Sequence, residues 1–287
     1  MSFKGKIYLE GESSNLAMIV LTPDIKREIT VNFMNMVRGL KPPIKLIMVE
    51  DSTSDFSFPN SLNAGLNEWM KSPTKYLAFA HDDVRFESNS INKLVDVLES
   101  HNDIDVVAPI NKEPGGKNVS VLVKITPKDF YFYSRIGSVI PISLFPVLEY
   151  FRGIIRKKYF LEPQREDGIN NQDLGVSGGY IARLFPVCVL KKSIVDKVGS
   201  FDENFFFGED IDYAYRLYLA NARIAVVRDS VIEHFGSYTI GKRETKTPKE
   251  KYIHLKKELN AQNMIYRKYR KEFDLLYEKA KENTLVI

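Results

Sequence analysis

An unbroken apolar run, Tyr76 to Ala80, stops abruptly at His81, Asp82 and Asp83, and this constrains the fold more than any other feature. The run reads as a buried strand. Two adjacent carboxylates cost too much to bury unpaired, so they belong at the strand's exit, facing water or a cation. In α/β proteins the carboxyl end of a parallel strand is where ligands bind. An oxygen-rich cluster there suits Mg²⁺ or Mn²⁺ shared with a substrate's phosphates. The competing use of Asp-Asp at a strand end is a turn or a helix cap.

The surrounding sequence repeats a strand–helix rhythm. Leu16–Leu21 reads as a strand ending at Thr22-Pro23, and Ile44–Val49 as a second ending in Glu50-Asp51-Ser52. Helical spacing marks 28–40 (Ile29, Phe33, Met36, Val37, Leu40), 61–70 and 89–99, and a further strand runs from Asp105 to Pro109. This order predicts an α/β fold, a mostly parallel Rossmann-type sheet flanked by helices. The rhythm is lost between about 111 and 175, an insertion or lid rich in aromatics and followed by bases at Arg152, Arg156, Lys157 and Lys158. That insertion reads either as an interfacial amphipathic helix or as an ordinary aromatic-packed helix with a solvated basic end. Tyr180–Leu190 and Ile224–Val227 read as strands, and Lys191–Val198 as a helix capped by Gly199. We therefore expect one domain over 1–247 and a C-terminal helical extension over 248–287, with no chemistry in the extension.

A net charge of +4 gives no nucleic-acid footprint. The single cysteine, Cys188, excludes an internal disulfide and argues against a thiolate metal site. No signal-peptide pattern is read at the N-terminus, and Ile136–Phe151, broken by Pro141, Pro146 and Glu149, is too short to span a membrane. The expectation is a cytoplasmic protein, with peripheral membrane contact through 130–160 as a further expectation.

A second carboxylate cluster opens a helix at Gly208-Glu209-Asp210, after the aromatic loop FDENFFF. Acidic residues in a first turn suit the helix dipole, which accounts for Asp212. An aromatic loop beside a carboxylate also builds a dry pocket that raises its basicity. His234 follows a strand, a place for a ligand or phosphate contact or for a purely structural histidine.

In order and spacing, MVEDSTSD, LNAGLNE, HDDV and VCVLKKSIVDKVGSFDENFFFGEDIDYAYRL resemble the family-2 glycosyltransferases of the GT-A fold, especially rhamnosyltransferase-like members. The resemblance covers roughly Leu16 to Ser237, without 111–175. It implies that Asp51, with Glu50, reads the donor base, with Thr22 and Pro23 lining that pocket. It implies nucleotide-sugar contacts by Asn63 and Asp82. Asp83 would hold a Mn²⁺ or Mg²⁺ ion bridging the donor diphosphate, with His81 or Asp82 nearby and His234 as a late ligand. Asp210 would be the general base and Glu209 its acceptor-side neighbour. The family's Asp-x-Asp stands here as His81-Asp82-Asp83, and its Asp-Asp nucleotide turn as Glu50-Asp51.

The implied activity is inverting, metal-dependent transfer of a sugar from a nucleotide-diphosphate donor to a hydroxyl of a glycan or lipid-linked acceptor, as in polysaccharide biosynthesis. Two alternatives stand beside it. A sugar-phosphate nucleotidyltransferase would need a glycine-rich phosphate loop, which Leu21-Thr22-Pro23-Asp24 does not supply. A non-catalytic relative that binds a sugar or a partner would have no need of both carboxylate clusters.

Overall fold

The computed structural model describes residues 3–52, 57–115, 118–119, 122–124, 128–151, 180–182, 184–205, 208–236 and 247–287. A mixed sheet runs through the molecule with helices on both faces. Its strands are β1 (Lys6–Glu10), β2 (Leu16–Thr22), β3 (Lys45–Glu50), β4 (Tyr76–His81), β5 (Val84–Phe86), β6 (Val106–Lys112), β7 (Asn118–Val119), β10 (Val187–Lys191), β11 (Ile224–His234) and β12 (Thr284–Val286). The spatial order is β1-β3-β2-β4-β10-β6-β11-β12, with β5 on β11 and β7 on β6. A small hairpin of β8 (Leu122–Lys124) and β9 (Tyr180–Ala182) stands apart.

Every residue of β2 is buried, because the strand is covered on both sides. Ala17, Ile19 and Leu21 pack into one hydrophobic cluster, and Leu16, Met18 and Val20 into the other, as the two-residue period of a strand requires. The first cluster receives α2 (Phe58–Lys71), α7 (Glu209–Leu219) and α9 (Phe273–Asn283). The second receives α1 (Glu28–Arg38) and α3 (Ser88–Ser100). Gly65 lets α2 lie close on the sheet: a Cβ there would sit 2.6 Å from Ile19 Cγ2.

The expected α/β sheet flanked by helices is present, and three details refine the expectation. The sheet is parallel over β3-β2-β4 and β6-β11-β12, but β10 runs antiparallel to both β4 and β6. The chain leaves β6 at the carboxyl edge of the sheet and re-enters at that edge, where Val187 faces Ala80, so β10 must run back. The strand expected over Tyr180–Leu190 is two strands, β9 and β10. The extension is not wholly helical either. After α8 (Pro248–Tyr269) and α9 the chain returns as β12, parallel to β11.

Within the insertion, α4 (Lys128–Val139) and the helical residues 145–151 (α5) pack on α8 through Phe145, Leu148, Leu255 and Leu259. The basic run Arg152, Arg156, Lys157 and Lys158 lies outside the described residues. The remaining helix, α6 (Lys192–Val198), ends at Gly199, whose φ of 77° and ψ of −152° are a backbone conformation open to glycine and strained for other residues. No helix among the described residues is long and apolar enough to cross a membrane.

Candidate functional site

The ends of β2, β3 and β4 deliver Thr22, Glu50-Asp51 and His81 to the carboxyl edge of the sheet. Behind β4 the chain turns at Asp82-Asp83 and forms β5, which pairs antiparallel with the far end of β11 so that Val84 faces His234. β11 reaches that point through a bulge. Val227 pairs with Pro109 and Val231 with Ile110, so three residues of β11 are extruded where Pro109 has no N–H to donate.

This topology brings His81, Asp83 and His234 together. Their ligand atoms all lie within 4.8 Å of one another. His234 Nε2 is 3.1 Å from Asp83 Oδ1, and His81 Nδ1 is 3.9 Å from the same oxygen. Burial pushes the Asp83 carboxyl up, but the His234 hydrogen bond and the two imidazoles outweigh it and hold the group below its usual value. Burial, with the neighbouring His234 charge, lowers His81 to about 4. It is therefore neutral at pH 7, the form that can ligate a metal. Phe58 and Phe185 wall its ring at 5.9 and 5.4 Å. Two imidazole nitrogens and a carboxylate oxygen fit a divalent ion.

Asp82 does not join this group. Its Oδ2 accepts a 2.6 Å hydrogen bond from Thr30 Oγ1, which itself contacts Thr22 Oγ1 at 3.1 Å. Burial raises its pKa, against the pull of those two hydroxyls. Asp82 therefore braces the start of α1, and of the two neighbours expected near Asp83 it is His81 that shares the cluster.

At the end of β3 the two acidic residues also separate. Glu50 is engaged within the protein, its carboxylate accepting from Tyr8 Oη at 2.9 Å and from the Ile25 N–H at 3.0 Å. Asp51 is buried, accepts from Ser61 Oγ at 3.0 Å and donates its N–H to the Thr22 carbonyl. Asp51 and Thr22 are thus joined by a backbone hydrogen bond, with the half-buried Pro23 next in the chain.

Asn63 lies inside α2, which begins at Phe58 and not at Ser61. Its amide accepts from the Phe201 N–H at 2.8 Å and donates to the Phe201 carbonyl at 2.9 Å and to Glu203 at 3.2 Å. Through these bonds it anchors the loop that precedes α7.

Gly208, at φ 79°, turns the chain into α7, so Glu209 and Asp210 stand at the helix N-terminus. Glu209 is half-buried, with its Oε2 covered and unpartnered. Burial first, and then the Asp210 charge, push its carboxyl up to about 8. A continuous row of rings connects this helix to the histidines: His81 to Phe185 at 5.4 Å, Phe185 to Phe201 at 6.4 Å, and Phe201 stacked on Tyr213 at 4.2 Å.

Thr30 and Ser61, which donate to Asp82 and Asp51, carry no local sequence signal of that role. Asn111, at the end of β6, is also buried at this edge, with neither amide atom partnered.

No family model matches the chain, and no curated protein does. Among solved structures it is similar to S. aureus TarS. TarS 1–349 in complex with UDP-GlcNAc aligns at 14% identity and a TM-score of 0.46, covering 86% of this chain and 66% of that one. A second TarS structure aligns at 14% and 0.47, covering 78% and 37%, and TarS 1–349 alone at 13% and 0.48, covering 91% and 74%. At such identity the site residues must be judged on their own geometry.

Proposed function

We propose that the protein is an inverting, divalent-metal-dependent glycosyltransferase of GT-A type, moving a sugar from a nucleotide-diphosphate donor to a hydroxyl acceptor. The observation that carries this reading is the cluster of His81, Asp83 and His234 at the carboxyl edge of the sheet, within 4.8 Å of one another. Thr22, hydrogen-bonded to Asp51, ends the strand beside that of His81, and the aromatic row links the cluster to the helix that carries Glu209 and Asp210.

When bound, the metal neutralises charge on the departing diphosphate. His81, Asp83 and His234 would hold it, and two imidazoles favour Mn²⁺ over Mg²⁺. Asp51 accepts a ring N–H of the donor base, while Thr22 and Pro23 line its pocket. Asp210 takes the proton of the acceptor hydroxyl, and Glu209, held protonated beside it at pH 7, donates a hydrogen bond to the acceptor. One base, with no second carboxylate assigned as nucleophile, supports single displacement with inversion.

Asp210→Asn tests this assignment. Nucleotide binding is expected to persist while transfer falls by about 10²–10⁴, the typical worth of a positioned base. Near-normal transfer would remove Asp210 from the role.

Peripheral membrane contact through 130–160 belongs to the same proposal. Within this stretch Val139 and Tyr150 are 76% and 69% exposed, and Ile136, Val147 and Phe151 are exposed with them. Exposed apolar side chains of this kind suit an interfacial contact. Flotation with anionic vesicles tests it, and a protein left entirely in the unbound fraction would refute it.

A further inference from the structure

Helix α8 of the C-terminal extension contacts the loop and helix that carry Glu209 and Asp210. Asp212, in the first turn of α7, has no exposed side-chain surface, yet its carboxylate is fully engaged. Oδ1 accepts from Lys268 Nζ at 2.6 Å and from Tyr269 Oη at 2.7 Å, and Oδ2 accepts from Arg216 Nε at 3.0 Å. Lys268 Nζ also donates to Asp202 Oδ2 at 2.7 Å, and Arg216 Nη1 to the Val198 and Ser200 carbonyls. Two carboxylates and two cations thus tie both ends of the aromatic loop to α8. The contact is close: a Cβ on Gly208 would lie 3.0 Å from Ile265 Cδ1.

We propose that Lys268 and Tyr269 are positioning residues, which clamp Asp212 so that the first turn of α7 keeps Glu209 and Asp210 together in their enclosed place. The proposal rests on the reading of that pair as the acceptor-side machinery. Its physical basis is that a buried carboxylate fixes geometry only while every partner is present. Either α8 residue can therefore release the turn without touching Glu209 or Asp210.

The test is the titration of the Glu209 carboxyl carbon, followed by NMR in the full chain labelled with ¹³C-glutamate, with thermal melts to confirm folding. Variants are Lys268→Met, Lys268→Arg and Tyr269→Phe. We expect the Glu209 midpoint to fall by about one unit or more in Lys268→Met and Tyr269→Phe, as released Glu209 gains water, and to be largely restored in Lys268→Arg. With UDP-glucose, UDP-N-acetylglucosamine and GDP-mannose as donor probes, any turnover should show kcat lowered about tenfold and donor KM within about twofold. Folded variants that melt earlier yet titrate like the parent would overturn the clamp and leave it a stability element only. The titration needs no turnover. A wild-type chain inactive with every donor and blind to nucleotides would count against the glycosyltransferase reading, not against the clamp.

Discussion

His234 Nε2 lies 3.1 Å from Asp83 Oδ1, and the β5–β11 pairing that makes this contact also separates Asp83 from its neighbour Asp82. The carboxylates therefore differ in role, one facing two imidazoles and the other facing Thr30. Asp83→Asn is expected to abolish Mn²⁺ binding measured by calorimetry, while Asp82→Asn retains it within about tenfold and loses thermal stability instead. Equal loss of metal in both variants would contradict this division.

Glu209 gives a pH signature. Its folded value is raised from 4.5 to about 8, so between those pH values the folded state holds more protons than the unfolded chain. Stability then falls as pH rises through that window. Glu209→Gln removes the penalty. In urea unfolding the variant should match the parent near pH 4.5 and exceed it by roughly 2 kcal/mol above pH 8, after allowing for solvent access to this half-buried group. An advantage that does not change with pH would show that Glu209 is not held protonated.

Asn63 is expected to matter for folding and not for the nucleotide. Asn63→Ala leaves the Phe201 N–H and carbonyl without their partner, a loss of roughly 1–3 kcal/mol. The thermal shift given by a nucleotide with Mn²⁺ should survive, and its disappearance would return Asn63 to the donor pocket.

The elements were legible where burial dictated composition. β2, β3 and β4 are near-continuous apolar runs because both faces are covered, and the helices α1, α2 and α3 show their period because one face is solvated. What escaped the sequence was non-local. The antiparallel run of β10 follows from where the insertion returns the chain, and β12 is a three-residue strand completed only by its pairing with β11. The second role of the Asp82-Asp83 pair depends on Thr30, a residue with no distinguishing neighbourhood. Lys268 and Tyr269 sit within a charged helix whose apolar spacing speaks only of packing, so their bonds to Asp212 could not be anticipated. Asp51, Asp83, Glu209, Asp210 and His234 stand out in the sequence as acids and a histidine at strand exits or a helix start, while the roles proposed for them rest on the family resemblance.

The central claim is a metal-dependent nucleotide site at the carboxyl edge, and a thermal-shift screen of UDP, GDP, dTDP and CDP tests it most directly. Each nucleotide would be measured with and without Mn²⁺, in the parent and in Asp83→Ala. A ligand that binds only the folded state raises the melting temperature by mass action. The account predicts a shift for one nucleotide that requires Mn²⁺ and vanishes in Asp83→Ala. No shift with any nucleotide, or one indifferent to both metal and Asp83, would contradict it.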